Sequence, residues 1–240
     1  MQKRFYSTEF LIILLFFALP PIVFPPALSE SRFLHFSWIT FTLALAAGGL
    51  FWQMKILSAS DEERKNKDEK SDEKNKNTRR LRFFLQQGES LITFGGLLVC
   101  SGLCEVIARF LLHEEKSLSM IPPESVWGWI NALAGIICAA FYEEVLYRMY
   151  LPDIAKKLLI KQHNTEKPEG GRRKKIAWAC EISAVILFAL AHRYAGWLSV
   201  VNAAAGGILL RRCYIKTASL WTNLTAHVLY NGLMTAISLL

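Results

Sequence analysis

The chain has few cysteines and arranges none of them for chemistry. Its 240 residues hold five, Cys100, Cys104, Cys138, Cys180 and Cys213, an odd number with no CxxC pair. This excludes a disulfide framework and leaves them as small buried apolar residues. There is no HExxH, so the usual zinc-protease helix is absent. No Ser or Cys stands in an evident triad setting. No RNA- or DNA-binding motif occurs, and no internal repeat of fixed period. Over most of the chain charge is also scarce. Outside residues 58–82 and 152–175, the other 191 residues carry only 21 charges, roughly one in nine.

What is present explains that scarcity. The sequence is 52% hydrophobic and 20% charged, with a positive mean hydropathy of +0.26. A well-mixed soluble protein rarely combines these values, so the charges must be segregated from the apolar residues. They are: residues 58–82 and 152–175 together hold 27 of the 48 charges. The first of these runs has almost nothing apolar to bury along residues 58–80 and reads as a solvated, disordered or helical linker. The remainder falls into apolar stretches long enough for a bilayer core of about 30 Å. Spans are expected near 9–28, 34–56, 91–112, 126–151, 177–195, 197–211 and 218–240. The sixth is short for a full crossing. The first contains Pro20, Pro21, Pro25 and Pro26, so its second half is not expected to be a regular helix. A signal-peptide reading also exists for this segment, with Lys3 and Arg4, an apolar run from Phe10, then Ala27-Leu28-Ser29. The fold class is all-α, a polytopic transmembrane helical bundle of about seven (6–8) spans. The expected organisation is two N-terminal spans over 1–57, a charged cytoplasmic linker over 58–82 and a transmembrane domain over 91–240.

Orientation follows from Lys and Arg in the short loops. With Lys3 and Arg4 in the cytoplasm, residues 57–90, 152–176 and the loop Arg211–Lys216 also fall inside. The opposite loops hold only Arg32, Lys116 and Arg193. The net charge of +8 is thus an inside-facing charge, with membrane lipid and not nucleic acid as the partner. The location read from this is an integral, multi-pass membrane protein, of a bacterial inner membrane, with a cytoplasmic N-terminus.

Ionisable groups inside spans are expensive and mark cavities or partners. Glu105 and Arg109 can form a structural pair at i, i+4, and Glu181 lies close to the interface in a structural or solvated role. The cluster Glu143, Glu144 and Arg148 is different. Glu144 and Arg148 are four apart and can pair on one face, which leaves Glu143 free. A free carboxylate in a dry cavity suits proton transfer. His192 shares a face with Phe188. His227 and Asn231, again four apart, point into one site and can donate to an oxyanion.

These residues have an order. Glu143-Glu144-Val145-Leu146-Tyr147-Arg148 looks like an EExxxR motif, Phe188 to His192 like FxxxH, and His227 to Asn231 like HxxxN. Together they resemble the CPBP family of intramembrane proteases, also called ABI, which includes type II CAAX prenyl endopeptidases and bacteriocin-processing or immunity proteins. The resemblance covers about residues 91–240. Gly206-Gly207 and Thr217 to Trp221 also look family-like, whereas Met149 stands where many members carry Gly. The resemblance implies an intramembrane endopeptidase acting on a peptide or membrane-anchored protein. It implies Glu143 as the base that activates water and His192 as its partner. His227 and Asn231 would form the oxyanion hole, Glu144 and Arg148 would support Glu143, and Phe188 would pack beside the site. No cofactor is needed for that chemistry. The alternative is Zn2+ on Glu143, His192 and His227, with water as fourth ligand. Two non-proteolytic readings stand beside these: an immunity or scaffold protein that keeps the fold, and a proton-coupled transporter, which would more often show inverted repeats.

Overall fold

The computed structural model of the chain describes residues 2–23, 38–65, 75–111, 113, 122–162 and 170–239. Seven helical segments account for nearly all of them, and no strand occurs among the described residues. We label them α1 (2–23), α2 (Trp38–Lys65), α3 (Asn75–Phe110), α4 (126–162), α5 (Gly170–Ala191), α6 (Trp197–Thr217) and α7 (Leu220–Ser238). The architecture is the all-α bundle that the hydropathy pattern predicts. Three stretches, Ile39–Ile56, Arg82–Phe110 and Val126–Ile160, are long and apolar enough to cross a membrane by length and composition. Large apolar side chains line the outside of the bundle, among them Phe16, Ile39, Trp52, Phe110, Trp127 and Trp178. Water does not tolerate such continuous apolar surface, but lipid does. The protein is integral to a membrane.

The structure corrects the expected boundaries in several places. α2 continues to Lys65 and α3 begins at Asn75, so both ends of the charged linker are helical. Its middle, residues 66–74, lies outside the described residues, as do Pro25 and Pro26 of the first expected span. The sixth helix extends beyond the expected span: α6 has 21 residues and runs through the supposed loop to Thr217. Its last seven residues include Arg211, Arg212 and Lys216, so its apolar part is no longer than the expected span.

Prolines shape two helices in the same way. A proline has no N–H for the carbonyl four residues earlier, and its ring crowds that carbonyl. One adjustment is a π-helical turn, in which the ladder slips to i+5. In α1 a π turn over Leu14–Ala18 precedes Pro20 and Pro21, and the helix resumes after a bend at Leu19. The helix therefore continues past the first two prolines only with a π turn and a bend, and is not regular there. In α4 the π segment Glu144–Tyr150 precedes Pro152. All seven residues of that segment are buried. It is the centre of the bundle, packed by α2, α5, α6 and α7.

Close approach of α6 to its neighbours depends on Gly206 and Gly207. A Cβ on Gly206 would stand 3.1 Å from Leu97 of α3, and one on Gly207 would stand 3.2 Å from the ring of Phe188 on α5. Gly207→Val is expected to push Phe188 off its seat and cost about 1–3 kcal/mol by overpacking. Gly207→Ala needs a shift of only a few tenths of an ångström. The ratio of active, folded protein between the two variants, measured by size-exclusion yield and turnover, checks this.

Candidate active site

Three helices build the site. Ser125 caps α4, its Oγ accepting from the Gly128 N–H at 3.1 Å, and the helix then delivers Glu143 and Glu144 about 18 residues inward. Glu143 is the last residue before the π segment and Glu144 the first within it. Pro152 offers no N–H to the carbonyl of Arg148, four residues earlier. Arg211 of α6 supplies a donor instead, through Nη1. The same guanidinium binds Glu181 of α5 at 2.7 Å and Asp153 at 3.0 Å, and Lys156 also pairs with Glu181. Arg211 is thus a buried clamp across α4, α5 and α6, not a loop residue, and Glu181 is one of its partners.

Glu144 is fully buried. Its Oε2 accepts from the Asn223 amide at 2.6 Å, and its Oε1 accepts from His227 Nδ1 at 2.7 Å. Arg148 Nε stands 3.8 Å from Oε2, an ion pair at one helical turn rather than a hydrogen bond. A carboxylate only accepts, so the proton of that short contact sits on Nδ1 of His227. The ring is then fixed with Nε2 turned to Glu143, whose Oε2 is 3.6 Å away. Glu143 keeps partial exposure, 22% of its side chain, against none for Glu144. Two adjacent carboxylates thus receive opposite treatment: one is tied down on three sides, the other is open.

The second histidine joins through aromatic contacts. The Arg148 guanidinium lies over the Phe188 ring, 3.9 Å from its centre, and Phe188 packs on the His192 ring with centroids 4.7 Å apart. His192 Nδ1 donates to the Phe188 carbonyl at 2.8 Å, one turn back. A carbonyl only accepts, so Nε2 is the nitrogen left for chemistry. His192 ends α5, and a short 3-10 turn with Gly196 at φ 94° leads into α6. Only glycine enters that conformation without cost. Tyr194 in this turn stacks on His192 and sits within the field of Glu143. Asn231 lies one turn beyond His227 on α7, half-buried.

The expected residues are therefore arranged as follows. Glu143, Glu144, Arg148 and His227 are in direct contact. Phe188 and His192 adjoin them through Arg148. Among the described residues, no group of three or more His, Cys, Asp or Glu is placed to hold a metal ion.

Residues 125–233 match the family model described as type II CAAX prenyl endopeptidase Rce1-like. They belong to the CAAX protease family. No curated protein and no solved structure matches the chain. Every residue named above as a site candidate falls inside the CAAX protease segment, which runs from the cap of α4 to the last third of α7. The helices α1 to α3 precede it.

Two residues of this CAAX protease site escaped the sequence. Asn223 holds the buried carboxylate, yet it lies early in the last span and carries no charge. A signal existed: Asn223, His227 and Asn231 repeat at four-residue intervals, which puts all three on one face of α7. Arg211 was hidden by its basic neighbours Arg212 and Lys216, which made the helix end look like a loop.

Proposed function

We propose that the protein is an intramembrane endopeptidase in which Glu143 activates a water molecule to attack a peptide bond. The observation that carries this is the unequal treatment of the two glutamates, with Glu144 spent on Asn223, Arg148 and His227 and Glu143 left facing His227 Nε2. The water bound at Glu143 loses its proton to the carboxylate as its oxygen adds to the scissile carbonyl. His192, through its free Nε2, accepts a hydrogen bond from the water's other hydrogen, which stays on the oxygen, and so orients the water. The developing oxyanion takes hydrogen bonds from Asn231 and from the doubly protonated form of His227, whose Nδ1–H is held by Glu144 and whose Nε2–H donates. Glu143 then passes its proton to the departing amine, the C–N bond breaks, and both products leave with full valence. The Glu144 carboxylate behind Nδ1 supports His227 whenever Nε2 carries a proton, as a buried acid does for a catalytic histidine.

The substrate proposed is a CAAX-type sequence, or an equivalent membrane-anchored peptide, cleaved on the side where the basic clusters lie. That side is taken as the cytoplasm of a bacterial inner membrane, with the N-terminus inside. The mechanism proposed is metal-free.

The test is direct. Purified protein in micelles is given a quenched fluorescent peptide ending in a farnesylated CAAX sequence. Cleavage is expected to persist after chelator treatment and to vanish in His192→Ala and His227→Ala. Loss on chelation with recovery on adding zinc refutes the metal-free mechanism. Wild-type cleavage in both His variants refutes this assignment of the site, and absence of cleavage by the wild-type protein refutes the protease and leaves a scaffold.

A further inference from the structure

α1 lies outside residues 125–233, yet it meets the chain beside each part of the proposed machinery. Tyr142, the residue before Glu143, donates its hydroxyl to the carbonyl of Phe17 at 2.6 Å. Arg193, the residue after His192, donates Nε to the carbonyl of Ile22 at 2.6 Å and reaches that of Val23 at 3.5 Å. Tyr150, two residues beyond Arg148, donates to Glu9 at 2.8 Å, and Gln53 of α2 holds the same carboxylate at 3.2 Å.

The sequence of α1 makes these acceptors available. Pro21 has no N–H for the Phe17 carbonyl, so that oxygen would be unpaired within the membrane. Ile22 and Val23 are the last described residues of the helix, and Pro26 has no N–H to offer the Ile22 carbonyl four residues earlier. Each orphaned acceptor is met by a side chain from the CAAX protease segment. Phe17 and Ile22 are five residues apart in sequence, on either side of the bend at Leu19. One end fixes α4 beside Glu143, and the other fixes the 3-10 turn beside His192. That turn is three residues long, largely exposed, and ends at Gly196 in a conformation with positive φ.

We infer that α1 is a positioning strap: through Tyr142 and Arg193 it sets the distance between Glu143 and His192. The inference rests on the protease reading of the site. Neither Tyr142 nor Arg193 touches substrate; each acts through its neighbour.

The experiment uses the full chain in micelles and the farnesylated CAAX peptide. Tyr142→Phe and Arg193→Ala are expected to lower kcat about tenfold with KM little changed, since misplacement by a fraction of an ångström acts on the chemical step. Arg193→Lys, which still donates to carbonyls, should recover a substantial part. Phe16→Leu, on the lipid-facing side of the same helix, should match wild type. Hydrogen exchange of the backbone amides in 192–196 is measured alongside and should quicken in Arg193→Ala. Wild-type kcat per folded molecule in both strap variants overturns the inference. If the wild-type protein fails to cleave the peptide, that failure belongs to the protease reading. Exchange then decides the strap, with faster exchange in Arg193→Ala supporting it and unchanged exchange refuting it.

Discussion

Glu143→Gln is expected to leave a folded protein whose kcat falls by about 10²–10⁴, the usual contribution of a positioned general base. Glutamine keeps the size and polarity of the side chain but cannot take a proton from water. The partial exposure of Glu143 and its 3.6 Å separation from His227 mean that little of the packing depends on its charge. Melting temperature and detergent-solubilised yield should therefore match wild type while cleavage of the farnesylated peptide collapses. Glu143→Asp retains the carboxylate but withdraws it by about one methylene, and should fall between the two. A Gln variant that cleaves at the wild-type rate would mean that His192 or His227 activates water unaided, and the glutamate mechanism would be wrong.

Much of this site is legible in the sequence because lipid is a severe filter. Within an apolar span a carboxylate or histidine has no water to satisfy it, so its presence there needs a partner or a task. That rule picks out Glu143, Glu144, Arg148, His192 and His227, and four-residue spacing links Glu144 to Arg148. The same rule is blind to what carries no charge, as with Asn223. It also fails at span ends, where a buried Arg211 and a solvated Arg212 look alike. Local patterning likewise gives the helices but not their slips. Pro20 and Pro152 announce a disturbance; whether the helix breaks or shifts into a π turn depends on donors arriving from other helices, such as Tyr142 and Arg211. Those pairings span 125 and 63 residues of sequence, beyond the reach of any local rule.

The partner carboxylate should behave in the opposite way to Glu143. Glu144→Ala is expected to cost about 3–5 kcal/mol of stability, because it strands a buried guanidinium. Arg148 is only 1% exposed, and among the described residues its Nε and Nη2 meet no hydrogen-bond acceptor, so the Glu144 charge and the Phe188 ring are what offset its own. The same change frees the Asn223 amide and leaves His227 Nδ1 without its acceptor. Activity should vanish even in the fraction that folds, since the His227 ring is then free to turn Nε2 away from Glu143. The double variant Glu144→Leu with Arg148→Met separates the two effects. Replacing both charges by apolar groups of similar volume removes the stranded cation, so most of the lost stability should return, as with other buried ion pairs exchanged for packing. Cleavage should not return with it. A double variant as unstable as Glu144→Ala would show that the bond to Asn223 and His227, rather than the ion pair, supports the fold. A double variant that regains activity would show that Glu144 has no part in holding His227 for the reaction.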